Sequence, residues 1–401
     1  MKIVLLRELN PFHESSASGN RYTSLIKGLA EQGVQISVVV TGGYNNPDEK
    51  QKYGKQSRQQ GVEFIYLLST LNHTLWRRRI NKYLFSYFSG WLVRWRLKRL
   101  LKNEYNYFWL TNNYQILNFF NHNFRQIQRS FIEINEFHDV YLQLGNITNR
   151  IQVKYARQLQ QAFLLALGHI GYCAVMTRTL LKYYKTLNPT TQYLHLPMTV
   201  DLSRFDQSKN SETIPYIAFA GTLSNRKDGV DILIRAFSRI AGKYPDIELH
   251  LAGGFHPDVK IQKQLILDLG LERRVKYVGL LSKTDIPSFF INASILALAR
   301  PNSHQAQGGF PTKLGEYLAT KNPVCVTKVG EIPDYLEDNV SAFLASPGDV
   351  EAFADALDRA LSDKVHAESV GCNGYRIALK HFNMQVQTKR LYEFLKNNYK
   401  E

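Results

Sequence analysis

Two glycines, a proline and one carboxylate stand in close order at Gly308-Gly309-Phe310-Pro311-Thr312-Lys313-Leu314-Gly315-Glu316. A helix starting here leaves its first N–H groups without intrahelical partners, and its dipole adds partial positive charge. An anion satisfies both. Gly308 and Gly309 carry no β-carbon to hold a ligand off the main chain. Pro311 fixes φ at a first-turn position, where its missing donor is not needed. Glu316, about one turn further in, can accept hydrogen bonds from a diol. Amides for phosphate and a carboxylate for hydroxyls suit a nucleotide sugar. The same residues also read as a plain loop, a proline-started helix and a solvated glutamate.

Elements must hold such a site, and short apolar runs alternate with amphipathic stretches along the whole chain. The pattern predicts strands at residues 3–6, 35–41, 63–67, 107–110, 131–134 and 172–176. In the second half it predicts strands at 216–219, 247–252, 275–278, 295–298, 324–326 and 343–344. Helices are expected between them, among them 20–32, 229–242, 259–269, 313–320 and 349–362. This alternation means parallel sheets with helices on both faces. Two such sets mean two doubly wound α/β domains, with ligands at the carboxyl ends of the strands. The polar run 206–213 reads as a linker.

Composition agrees. The 401 residues are 44% hydrophobic and 21% charged, a globular chain with room for two or three domains. No apolar run reaches the roughly 18 residues of a membrane span. The run 2–6 stops at Arg7 and Glu8, a buried first strand in place of a signal peptide. Cys173, Cys325 and Cys372 are scattered, which suggests reduced thiols in a cytoplasmic chain, with neither a disulfide framework nor metal-ligand spacing. Residues 1–200 hold 25 Lys and Arg against 10 Asp and Glu, whereas 201–401 hold 25 against 24. A basic half and a balanced half suggest two domains with different partners.

Four segments, in order, carry a resemblance: 197–205 (PMTVDLSRF), 219–230 (FAGTLSNRKDGV), the stretch around Glu316, and 330–334 (GEIPD) followed by Pro347-Gly348-Asp349. Together they resemble a retaining glycosyltransferase of the GT-B fold, close to glycosyltransferase family 4. The resemblance is strongest over about 195–365. It implies two Rossmann-like domains facing a cleft. Residues 1–203 would form the acceptor-side domain and 204–382 the nucleotide-sugar domain, with a C-terminal helix (382–399) packing back on the first domain, which residues 383–401 complete. Lys227 would neutralise the donor diphosphate as it leaves, with Arg226 sharing that role or facing solvent. Gly221 and Thr222 belong to the same phosphate loop. Gly309, Phe310, Pro311 and Thr312 would offer main chain to phosphates and sugar. Glu316 would hold the ribose, and Val278, Gly279 and Leu280 would line the base pocket.

The chain departs from the family at two points. Members carry two glutamates with seven residues between them. The second is Glu316, but the first position is Gly308, and no Asp or Glu occurs from 286 to 315. Gln305, Gln307 or main chain would then meet the sugar hydroxyls. The usual arginine of the first phosphate loop is absent, with Thr222 near its place.

In the first half, Gly19, Asn20 and Arg21 open a helix after the first strand. They resemble the family's loop facing the cleft, and also read as a plain helix cap. Glu136 and His138 end another strand and would face the acceptor or the sugar. A retaining transfer on this fold needs no protein nucleophile: the acceptor attacks the face the diphosphate leaves, and a phosphate oxygen takes its proton. No Asp-x-Asp occurs, which argues against a metal-dependent fold; neither metal nor cofactor is expected.

Between Glu63 and Glu104 there is no acid. This stretch holds Arg77, Arg78 and Arg79, then Trp91, Trp95, Lys98, Arg99 and Lys102. On a helix, Val93, Leu97 and Leu100 share one face, and the Trp and Lys/Arg residues share the other. The second face suits an anionic membrane surface; snorkelling arginines on a core helix are the plainer reading. No nucleic-acid motif accompanies the charge. The expected protein is a cytoplasmic enzyme, peripheral on the inner face of the membrane. It would take a UDP- or GDP-sugar donor and a glycan or lipid-linked acceptor in envelope polysaccharide or glycolipid synthesis. Rivals are a nucleotide-sugar epimerase or phosphorylase on the same fold, and a non-catalytic relative that binds a nucleotide sugar.

Overall fold

The computed structural model describes residues 1–14, 16–71, 85–101, 105–138, 150–210 and 214–398. The chain divides into two compact units, Met1–Leu196 with Thr388–Glu401, and Pro197–Gln387. Residues 197–203 and 383–387 thus go with the second unit, a short way from the boundaries read in the sequence.

The first unit is an eight-stranded sheet. Its strands are β1 (Lys2–Arg7), β2 (Gln35–Val40), β3 (Gln56–Gln59), β4 (Val62–Tyr66), β5 (Tyr107–Leu110), β6 (Ser130–Ile134), β7 (Tyr172–Val175) and β8 (Gln192–His195). They run in the order β3-β4-β2-β1-β5-β6-β7-β8. Every pairing is parallel except β3 with β4. The expected strands are all present. The two unexpected ones are the edges. β3 is Gln-Ser-Arg-Gln, whose polarity protects an edge and hides it from an apolar-pattern search.

Ile3, Leu5, Val38, Tyr107, Trp109 and Phe131 fill the core of this unit. The helix Met384–Asn398 adds Leu391 and Leu395 to it. Tyr107 Oη donates to Leu395 O at 2.5 Å, and Tyr172 Oη to Asn398 O at 2.7 Å. A β-carbon at Gly28 would lie 2.5 Å from Thr388 Oγ1, so this glycine lets the two helices touch.

The helix Phe85–Leu100 buries Val93 and Leu97 and exposes Trp91 (66%) and Trp95 (49%), the two faces expected. Lys98 and Arg99 are exposed beside them, Arg99 5.9 Å from the Trp95 ring. Arg77, Arg78, Arg79 and Lys102 lie outside the described residues. No helix among the described residues is long and apolar enough to cross a membrane.

The second unit is a parallel six-stranded sheet of β9 (Tyr216–Ala220), β10 (Glu248–Ala252), β11 (Val275–Gly279), β12 (Ile295–Leu298), β13 (Val324–Thr327) and β14 (Phe343–Ala345). The order is β11-β10-β9-β12-β13-β14. All six were expected. β9 and β12 are neighbours from which the chain winds in opposite directions, so their carboxyl ends form a topological switch point, where open α/β sheets bind ligands. In the first unit β1 and β5 form the equivalent point.

Candidate functional site

At the switch point of the second unit, β9 runs into Gly221 and then a one-turn helix, Asn225–Asp228. Ser224 caps it, accepting from the Lys227 amide at 3.2 Å. Gly229 ends it at φ +66°, where a β-carbon would lie 2.0 Å from Ala299 O, just past β12. Only glycine lets these two loops touch. Thr222, before this turn, and Arg226 and Lys227, on it, are exposed.

Asp228 points the other way and is buried. Its Oδ2 accepts from Lys313 Nζ at 2.9 Å. Lys313 is the second residue of the helix Thr312–Ala319. Burial lowers its pKa from the ordinary lysine value. Asp228 opposes that shift, while Arg300 and Lys227 add to it. Asp228, Arg300 and Lys313 were not singled out in the sequence. The signal for Lys313 was a lysine at a helix start, inside a stretch with no acid for 30 residues (286–315).

The helix Thr312–Ala319 begins at Pro311 with no side chain capping it, and buries Leu314, Tyr317 and Leu318. The approach differs from the expected glycine turn. Gly308 closes a short helix, His304–Gly308, and the Gly309 amide donates to Gln305 O at 3.0 Å. That amide is committed within the turn. Phe310 is buried against Tyr335 and Phe382, so its side chain is core.

Glu316 is partly buried, and its Oε1 accepts from Arg204 Nη1 at 2.7 Å. Arg204 also donates to Lys283 O at 3.3 Å and lies 5.4 Å from the Phe205 ring. The carboxylate is therefore held by a guanidinium that sequence reading left out. Val278, Gly279 and Leu280 are exposed at the end of edge strand β11. Phe255, 95% exposed, follows β10 and was not singled out either.

In the first unit, Ser16 caps the helix Ala17–Glu31 by accepting from the Gly19 amide at 2.9 Å. A β-carbon at Gly19 would lie 2.6 Å from Glu14 O. Asn20 is partly buried. Arg21 departs from the expected open loop: it is 1% exposed, ion-paired with Glu133, and donates to Leu196 O at 2.9 Å. An arginine so enclosed holds the fold together and has no face to offer a substrate.

Glu136 and His138 follow β6, both partly buried. Asn112, from the loop after β5, donates from Nδ2 to His138 Nδ1 at 3.0 Å. His138 Nε2 is a buried atom without a hydrogen-bond partner among the described residues. The His138 amide donates to Tyr184 Oη at 3.1 Å. Burial lowers the His138 pKa to about 4, against the opposing pull of Glu136. No cluster of metal-ligating side chains occurs among the described residues.

With this geometry in view, residues 202–377 match the family model for glycosyl transferases group 1. The matched residues lie within the second unit. Relatives outside this chain include a GDP-mannose-dependent alpha-(1-6)-phosphatidylinositol monomannoside mannosyltransferase of Mycolicibacterium smegmatis. It is 25% identical over 228 residues, 53% of this chain and 59% of its own. A D-inositol 3-phosphate glycosyltransferase of Corynebacterium urealyticum is 27% identical over 37% of this chain and 35% of its own. The amylovoran biosynthesis glycosyltransferase AmsK of Erwinia amylovora is 30% identical over 42% of each. The chain thus spans less than two thirds of the curated relatives it matches. Among solved structures, sucrose-phosphate synthase from Thermosynechococcus elongatus superposes with a TM-score of 0.76 at 16% identity, covering 99% of this chain and 98% of that one. Anabaena HepE, in complex with UDP and glucose, gives 0.69 at 18% identity, covering 99% and 100%. These likenesses show the fold, a two-domain α/β GT-B type, as the resemblance implied.

Proposed function

We propose that this chain is a retaining, metal-independent glycosyltransferase of family 4 type. It moves a sugar from a UDP- or GDP-sugar to a glycan or lipid-linked acceptor in envelope polysaccharide or glycolipid synthesis. The observation that carries the reading is the switch point of the second unit. There Lys227 on one loop and the proline-started helix bearing Glu316 stand at the adjoining ends of β9 and β12. Cations and helix amides offset charge on a departing diphosphate, and a carboxylate one turn on serves the ribose. The mannosyltransferase relative is GDP-mannose-dependent by name, and HepE was solved with UDP; both support a nucleotide-sugar donor.

Glu136 and His138 are the proposed acceptor-side groups, and burial keeps His138 neutral. The exposed Trp91, Trp95, Lys98 and Arg99 face is the proposed contact with an anionic membrane surface on the cytoplasmic side. A screen of UDP-, GDP- and ADP-sugars for release of free nucleotide tests the enzymatic reading. Turnover of one donor supports it; binding without turnover supports an inert relative in its place.

A further inference from the structure

Lys227 is the exposed ammonium of the phosphate loop, beside the exposed Arg226, and a second ammonium lies deeper at the same switch point. The Lys313 side chain is 16% exposed. An ammonium carries three donors. Among the described residues one hydrogen-bond acceptor is seen on it, Asp228 Oδ2 at 2.9 Å, and the Phe219 ring centroid is 4.5 Å away. Room for this ammonium is built into the backbone. Gly221 has φ +156°, and a β-carbon there would lie 2.2 Å from Lys313 Nζ. The first residue after β9 is therefore bare where Lys313 reaches it. Asp228 favours the charged lysine, whereas Arg300 and Lys227 oppose it.

We infer that Lys313 binds the donor's diphosphate, with Asp228 positioning its ammonium against Gly221. The inference rests on the nucleotide-sugar reading above and adds a binding residue to it. Lys227 would meet the phosphates from the solvent side, and Lys313 from the floor between β9 and β12.

The plainer role for Lys313 is to neutralise Asp228, and removing both residues separates the two. Calorimetry with UDP, GDP and ADP, and with the matching nucleosides, compares the full-length chain with Lys313→Met/Asp228→Asn. The expected result is a loss of about ten- to a hundredfold in diphosphate affinity, with nucleoside affinity unchanged. A double variant that binds the diphosphate as wild type does overturns the inference and leaves the nucleotide reading standing. A wild-type chain that binds none of the three sinks both. A second measurement needs no substitution: reductive methylation of the wild-type chain, read by mass spectrometry. Protection of Lys313 by the diphosphate but not by its nucleoside supports the contact, and equal labelling with either overturns it.

Discussion

Replacing Arg204 by Met tests whether Glu316 is held ready for a ribose. The guanidinium sits 2.7 Å from Glu316 Oε1, with the two side chains 20% and 15% exposed. Exposed ion pairs are worth about 0.2–1 kcal/mol, while breaking a fully buried one costs about 3–5 kcal/mol. This pair lies between those limits. Losing Arg204 also removes the donor to Lys283 O. A loss of about 1–3 kcal/mol in the stability of the second unit follows, measurable by urea denaturation. The ligand effect is separate. A carboxylate that loses the guanidinium can turn away from the diol, so nucleoside diphosphate affinity should fall about five- to thirtyfold. The preference for the ribonucleotide over its 2′-deoxy form should narrow at the same time, because the lost contact is to the hydroxyls. Calorimetry with both forms reads this directly. If Arg204→Met keeps wild-type affinity and the wild-type ribo-to-deoxy ratio, Glu316 does not depend on Arg204, or does not hold the ribose at all.

Other outcomes follow from the same geometry. Lys227→Ala should lower turnover about a hundredfold or more while leaving the melting temperature unchanged, since the side chain is exposed; turnover close to wild type would exclude it from the diphosphate. His138 is held neutral with a pKa of about 4, below the 6.5 of a free histidine. The unfolded chain takes up this proton first, so stability is unaffected above about pH 6.5 and falls by at most about 3 kcal/mol as pH drops towards 4. His138→Gln should flatten that part of a melting curve series, and an unchanged slope would assign it to other groups. Leu395→Ala, deep in the core of the first unit, should cost about 2–5 kcal/mol by denaturation, and a negligible loss would mean the C-terminal helix is loosely held. Anionic vesicles should bind the chain more than neutral ones, with salt and Trp91→Ala/Trp95→Ala both weakening the interaction; equal partitioning on the two would remove the membrane from the reading.

The strands were legible where apolar runs were continuous, because parallel strands are buried on both faces. β3 was not, since a polar four-residue edge strand gives no such run. Gly229 and Lys227 stood in one recognisable segment. Their surroundings were invisible because the groups that act on them come from far along the chain: Ala299 against Gly229, Arg204 against Glu316, Asn112 against His138. Arg21 misled for the same reason. Its sequence neighbours suggested a loop, and its ion-pair partner, Glu133, lies 112 residues away.

Lys313 and Glu316 complete the sense of the helix that joins them. Residues three apart lie on one helix face, about 4.5 Å apart along the axis. Each is tied to a residue of opposite charge from another element, Lys313 to Asp228 and Glu316 to Arg204. Under the proposed function, the cation near the helix start would meet the phosphates and the carboxylate one turn later the ribose. Gly308, where the family carries an acid, is buried at the end of the short helix His304–Gly308. On this reading the two ion pairs fix the nucleotide end of the site, and selection of the sugar passes to groups such as Gln305 and Gln307. Substitutions at those two glutamines should therefore change which donor is used while nucleoside diphosphate affinity stays constant. A donor screen in which Gln305→Ala and Gln307→Ala weaken UDP and UDP-sugar binding alike would place them at the nucleotide and defeat that division.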